Sequence, residues 1–259
     1  PVTLFYREYG EPSSGSPLVF LHGLFGSSAN WGGIVKAFSD KHYCIVPDLR
    51  NHGRSFHDNA VGYGAQSGDV IDLLEELNIE KATLIGHSMG GKVAMMVALH
   101  LPEMVERLVV VDMAPRRYQH SFAGILTALN KIDLKHLENR NEADRFLANY
   151  IDESGVRAYL LQNLVRTSEA WQWRINIEAL SGGIAQITGF PAKESRRFNG
   201  PCLFIHGNNS DYVDAEGRVA ISHFFPNAEV RGIDNAGHWV YADQAQVFIN
   251  DLSRFLESH

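Results

Sequence analysis

Cysteine is nearly missing from this chain. Cys44 and Cys202 are the only two among 259 residues, and each lies inside an apolar, strand-like run. No disulfide framework can therefore organise the fold. Two buried free thiols are expected, with a single Cys44–Cys202 bridge as the alternative. Basic residues are also short: 23 Lys plus Arg face 30 Asp plus Glu, a net charge of −7. No block of Lys or Arg occurs, so the electrostatic footprint of a nucleic-acid binder is absent. No run of about 18 uncharged apolar residues exists, and no membrane span is expected. The opening residues Val2-Thr3-Leu4-Phe5-Tyr6-Arg7-Glu8 lack a basic start followed by an apolar stretch, so no secretory signal is expected there. With so few cysteines, the whole fits a reducing cytoplasm. The histidines, among them His52, His57, His206 and His223, show no metal-ligand spacing. Neither metal nor cofactor is expected.

What remains is ordinary globular composition, 45% apolar and 20% charged. No internal repeat or low-complexity tract interrupts it. Seven β-rich runs recur, at Thr3 to Tyr9, Pro17 to Leu21, Tyr43 to Pro47, Ala82 to Gly86, Arg107 to Asp112, Pro201 to His206 and Ala228 to Ile233. Four of them are almost continuously apolar, such as Leu108-Val109-Val110-Val111, as strands buried on both faces of a parallel sheet must be. Helical patterns lie between. Val70, Leu73, Leu74 and Leu77 share one face, as do Phe248, Leu252, Phe255 and Leu256. Val93 to Leu101 is apolar nearly all round and predicts a central helix. This rhythm predicts an α/β fold with a mostly parallel sheet and helices on both faces.

The rhythm breaks between Asp112 and Pro201. Helical spacings follow there: Phe122, Ile125, Leu126 and Leu129, then Phe146, Leu147 and Tyr150, then Tyr159, Leu160 and Leu164, with Trp171 and Trp173 beyond and Gly182-Gly183 read as a turn. We expect a helical cap over residues 115–197, inserted into a core of 1–114 and 198–259. An insertion on the rim where parallel strands end lies where ligands bind and would act as a lid or pocket wall.

Three motifs carry chemistry. Gly86-His87-Ser88-Met89-Gly90 joins a buried strand to an apolar helix, the setting of a nucleophile elbow, in which a tight glycine-flanked turn lifts the serine hydroxyl above the sheet. His22-Gly23-Leu24-Phe25-Gly26-Ser27 follows an earlier strand. A serine nucleophile creates a tetrahedral oxyanion, which needs backbone N–H donors already aimed at it. The Met89 amide is one, and Leu24 supplies the other, with Phe25 as the alternative. His22 reads as a structural histidine, and His87 is expected to point away from the nucleophile. Asp234-Asn235-Ala236-Gly237-His238-Trp239 follows the last strand, and His238 on its glycine-led loop is the general base for Ser88.

The base needs a carboxylate to hold its tautomer. Chain order allows Asp112, at the end of an apolar strand, or Asp211, after the strand ending at Gly207, with Asp214 a further possibility. The G-x-x-D register counted from Gly207 lands on Ser210, so Asp211 is one residue late. Asp112 would be costly to bury without a partner. Phe25 and Trp239 are candidate substrate-pocket residues. Arg50, in Asp48-Leu49-Arg50-Asn51-His52-Gly53, reads as a brace between loops, and Arg116-Arg117 as a solvated pair, with contact to an anionic substrate group as the alternative.

On these motifs the chain resembles the α/β-hydrolases over its whole length. On His22 to Ser27, Asp48 to Gly53, Gly86 to Lys92, Gly207 to Ser210 and Gly237 to Val240 it resembles, more narrowly, the small bacterial esterases of the YbfF type. The resemblance implies a serine esterase with a Ser88, His238 and Asp112 triad, the acid lying on the earlier strand. It also implies short-chain acyl esters as substrates, with acyl thioesters as a further class. The same fold also hosts lyases, cofactor-free perhydrolases and small-ligand sensors, so the reaction does not follow from the fold.

Overall fold

The computed structural model describes residues 2–12 and 15–259; Pro1, the first residue of the expected core, lies outside them. All seven β-rich runs become strands of one sheet: β1 (Tyr6–Tyr9), β2 (Leu18–Leu21), β3 (Cys44–Pro47), β4 (Ala82–His87), β5 (Val105–Val111), β8 (Cys202–Gly207) and β9 (Ala228–Ile233). Their order is β1-β3-β2-β4-β5-β8-β9. Only β1 runs antiparallel to its neighbour; β3, β2, β4, β5, β8 and β9 are parallel.

The pleat divides the core. Along β5, Leu108 and Val110 join one hydrophobic cluster while Val109 and Val111 join the other; along β8, Cys202 and Phe204 alternate with Leu203 and Ile205 in the same way. The first face is covered by α2 (Tyr63–Glu76) and α3 (Met89–His100), which follow the short α1 (Gly32–Val35). Every residue of α3 except His100 is buried, as its all-round apolar sequence requires. The second face is covered through Phe248, Leu252, Phe255 and Leu256 of the last helix. Cys44 and Cys202 are free and buried, and burial pushes the Cys44 thiol up to about 12.

The stretch between β5 and β8 holds α4 (Ala123–Lys131), α5 (Arg140–Leu147), α6 (Ser154–Leu161), α7 (Ile177–Gly182) and α8 (Ile184–Thr188). Gly183 forms the turn between the last two. One expectation fails here. Leu164 does not continue the helical face of Tyr159 and Leu160 but opens β6 (Leu164–Arg166), which pairs antiparallel with β7 (Trp171–Trp173). Val165 and the two tryptophans favour the pleat, and two strands of three residues each are too short to betray it by periodicity. The remaining helices are α9 (Ala215–Phe224), α10 (Val240–Asp243) and α11 (Ala245–Ser258). Among the described residues no helix is long and apolar enough to cross a membrane.

Register positions the site. His87 pairs with Val111, and Val111 with Ile205. The next residues, Ser88 and Asp112, are therefore neighbours on the C-terminal rim, where the Ser88 N–H donates to Val111 O at 3.1 Å and the Asp112 N–H to Ile205 O at 2.7 Å.

Candidate active site

Ser88 has φ 56° and ψ −121°, backbone that a non-glycine residue adopts only where the surroundings force it. The surroundings are glycine-dependent. A Cβ on Gly86 would lie 2.2 Å from Gly90 O, and one on Gly90 would lie 2.4 Å from His22 O. Strand, turn and helix thus pack backbone against backbone, and only glycine fits. Ser88 sits at the N-cap of α3 without capping it through its side chain, so its hydroxyl is free for other work. The Met89 N–H is one of the unpaired first-turn donors every helix carries.

The loop after β2 approaches closely: a Cβ on Gly23 would fall 3.0 Å from the Ser88 Cβ. This loop is pinned peptide by peptide. The Gly26 N–H and the His22 Nδ1–H donate to Gly23 O at 3.0 and 2.8 Å. The Tyr159 hydroxyl donates to Leu24 O at 2.8 Å. The Phe25 N–H donates to His52 Nε2 at 3.1 Å, and Asn163 Nδ2 donates to Phe25 O at 2.7 Å. This corrects the alternative reading of Phe25 as an oxyanion donor, since its amide is already taken by His52. Among the described residues no acceptor takes the Leu24 N–H.

His22 and His52 are fixed as neutral tautomers. His22 Nε2 accepts the Leu49 N–H at 2.9 Å, and the His52 Nδ1–H donates to Arg50 O at 2.9 Å. Burial holds both below the usual histidine range, His52 at about 3. Their rings lie 5.1 Å apart and tie the loop after β2 to the loop after β3. In that second loop Asp48 accepts the Ser28 and Arg54 N–H groups at 2.6 and 2.9 Å. Gly53 turns at φ 55°, where a Cβ would strike the Asp48 carboxylate. Arg50 braces the loop as expected, donating to both Asp69 oxygens and to Ala60 O.

The His238 ring donates through Nδ1 to Asp112 Oδ2 at 2.7 Å. Asp112 is fully buried and also accepts the Gly207 N–H at 3.2 Å and the Ser210 hydroxyl at 2.5 Å. Its carboxyl oxygens thus take three hydrogen bonds, as a buried polar group demands. The runner-up acid, Asp211, is exposed, and among the described residues no hydrogen bond joins it to His238; its one-residue offset turns it outward. Asp214 caps α9 through the Gly217 N–H at 2.8 Å. Gly207 makes room for the histidine loop, since a Cβ there would lie 2.3 Å from Ala236 O. Tyr212 stacks on the His238 ring at 4.1 Å. His87 does not line the Ser88 cavity; its Nε2–H donates to His238 O at 2.8 Å, and burial holds it neutral.

Ser88, Leu24 and Met89 line one cavity of about 30 Å³, together with Tyr63, Lys92, Met113, Tyr118, His120, Phe122, Ile187, Thr188 and Tyr212. Phe25 and Trp239 do not line it. Phe25 stands behind Phe122 in an edge-on contact at 6.1 Å, and Trp239 packs on Tyr159 at 5.2 Å and faces a separate groove. Arg116 is occupied by Asp214 and Glu216 at 2.9 and 2.8 Å.

Comparison with known proteins agrees with this architecture. The profile of the alpha/beta hydrolase fold family matches residues 16–245. The chain is 40% identical, over 99% of its own length and 83% of the relative's, to the sn-1-specific diacylglycerol lipase ABHD11 of Xenopus tropicalis. It is 35% identical to Esterase YbfF of Escherichia coli strain K12, over 93% of each chain. A solved marine microorganism esterase superimposes with a TM-score of 0.95 at 35% identity, covering 98% of this chain and all of the other. The chain belongs to the alpha/beta hydrolase fold family.

Proposed function

We propose that this carboxylic ester hydrolase works by double displacement through Ser88, with His238 as general base, Asp112 as the acid that orients it, and the Leu24 and Met89 amides as oxyanion donors. The carrying observation is the 2.7 Å bond from His238 Nδ1 to the buried Asp112, on the rim residue beside Ser88. It commits Nδ1 to donation and leaves Nε2 as the base. Ser88 Oγ attacks the acyl carbonyl while Nε2 takes its proton. The developing oxyanion meets two N–H groups that nothing else uses. The alcohol leaves with the proton from Nε2, and water then repeats the sequence on the acyl-enzyme.

The small cavity beside Ser88, about 30 Å³, supports short acyl chains over long ones, in ester or thioester form. Residues 115–197 are the cap in this reading, closing that cavity through Tyr118, Phe122 and Ile187. Hydrolysis of p-nitrophenyl esters from acetate to palmitate, by wild type and Ser88→Ala, tests it. Turnover that peaks at short chains and disappears in the variant is expected. A folded wild type inactive on every ester would overturn the reading in favour of a lyase, perhydrolase or ligand-sensing role.

A further inference from the structure

Lys92 lies one helical turn beyond Ser88 on α3 and lines the same cavity, although it is 1% exposed. Its ammonium donates to Thr188 O at 3.1 Å and Gly189 O at 2.7 Å, at the end of α8. It lies 5.7 and 4.9 Å from the ring centroids of Tyr63 and Tyr118. Among the described residues no carboxylate pairs with it. Burial, then the positive charges of Arg117 and Arg116, push it down to about 7.

An ammonium has three N–H donors, and the two carbonyls account for two. Tying the lid to the core needs donors but no net charge, so tethering alone does not explain a buried cation that is costly without a partner. The rest of the wall, including Leu24, Met89, Met113, Phe122 and Ile187, offers no negative group. What the cavity lacks is an anion, and the substrate is the component still to be added.

We propose that Lys92 recognises the far end of the acyl group, and that the preferred substrates are half-esters of short dicarboxylic acids, whose free carboxylate pairs with the Lys92 ammonium. This rests on the esterase reading of the same site. Four residues along a helix rise about 6 Å, so Ser88 and Lys92 stand one turn apart on the wall of one cavity, and a short diacyl chain is the class that reaches from one to the other.

The titratable groups that line the cavity beside Lys92 are three tyrosines and His120. Burial raises Tyr63, and it raises Tyr118 and Tyr212 to about 12, so all three stay neutral. His120 is held below the usual histidine range by burial. The carboxylate preference is therefore present below pH about 7 and fades as the pH rises and the ammonium is lost.

The test compares monoethyl succinate and monoethyl glutarate with ethyl butanoate and ethyl pentanoate, by titration of released acid at pH 6 to 9. A ratio cancels the histidine titration common to both ester types. Wild type is expected to favour the half-esters by about tenfold or more in kcat/KM, mainly through KM, with the ratio falling as pH rises. Lys92→Met is expected to bring the ratio to one or below, while Lys92→Arg keeps it above one. Should either variant fail to fold, the wild-type ratio and its pH dependence decide alone. Turnover of the neutral esters with no carboxylate preference overturns the proposal and leaves the esterase reading intact. Turnover of neither ester type overturns both.

Discussion

The Ser210 hydroxyl donates to Asp112 Oδ2 at 2.5 Å, the same oxygen that receives the His238 Nδ1–H. Ser210 stands at the position counted from Gly207 where a G-x-x-D pattern would place a carboxylate. The loop after β8 thus contributes a donor to Asp112, which follows β5, and in the proposed triad this makes Ser210 a positioning residue. A hydrogen bond to a charged group contributes about 1.5–3 kcal/mol. Ser210→Ala is expected to lower kcat roughly tenfold or more with KM nearly unchanged. A parallel rise in KM, or a fall explained by lost folded protein in a denaturation curve, would reduce Ser210 to ordinary loop support.

The two aspartates make opposite predictions. Asp112→Asn keeps the shape but replaces an acceptor oxygen with an amide and removes the charge that steadies the imidazolium. In serine proteases this change costs about 10⁴-fold in kcat, and a loss of that order is expected here. Asp211→Asn, at an exposed loop position, should leave kcat within about twofold, as surface substitutions generally do. Steady-state kinetics on one short ester distinguish the pair, and the reverse ranking would reassign the acid.

Much of this arrangement is legible in the chain. The seven strands declare themselves because burial on both faces demands uninterrupted apolar runs, and the rim residues Ser88, Asp112 and His238 each sit directly beyond a strand or its loop. The rest depends on how the inserted segment docks. Tyr159 and Asn163 reach the loop after β2 across 135 and 138 residues of sequence, and nothing in their local pattern marks them. Phe25 and Trp239 read as pocket aromatics because aromatic residues next to catalytic motifs serve pocket and core equally well. The contacts of Phe25 with Phe122 and of Trp239 with Tyr159 decide between them.

That docking has a kinetic consequence. Tyr159 and Asn163 hold the carbonyls of Leu24 and Phe25, so the direction of the Leu24 N–H depends on α6 and the residue just beyond it. Loss of a well-aimed oxyanion donor costs about 10²–10³ in kcat; loosening one should cost less. Tyr159→Phe and Asn163→Leu are each expected to lower kcat about tenfold with small effects on KM. The double variant should fall short of the product of the two, because both act on one loop. Fully multiplicative losses would mean that the two side chains act separately.

Three buried histidines are expected to set the acid limit of stability. His22, His52 and His87 are each held below the usual histidine range chiefly by burial, and each accepts or donates as a neutral ring. Between the folded and unfolded titration points the unfolded chain binds a proton that the folded chain does not. Stability is therefore fully present above pH about 6.5 and is lost as the pH falls below it. Each such group contributes a slope of at most about 1.4 kcal/mol per pH unit, so three give at most about 4. Urea unfolding at half-unit steps from pH 7.5 to 5 should show stability level above 6.5 and falling steeply beneath it. His52→Gln, which removes one titrating group, should make that fall shallower even though it weakens the protein at neutral pH. An equally steep fall in the variant would show that His52 is not one of the groups responsible.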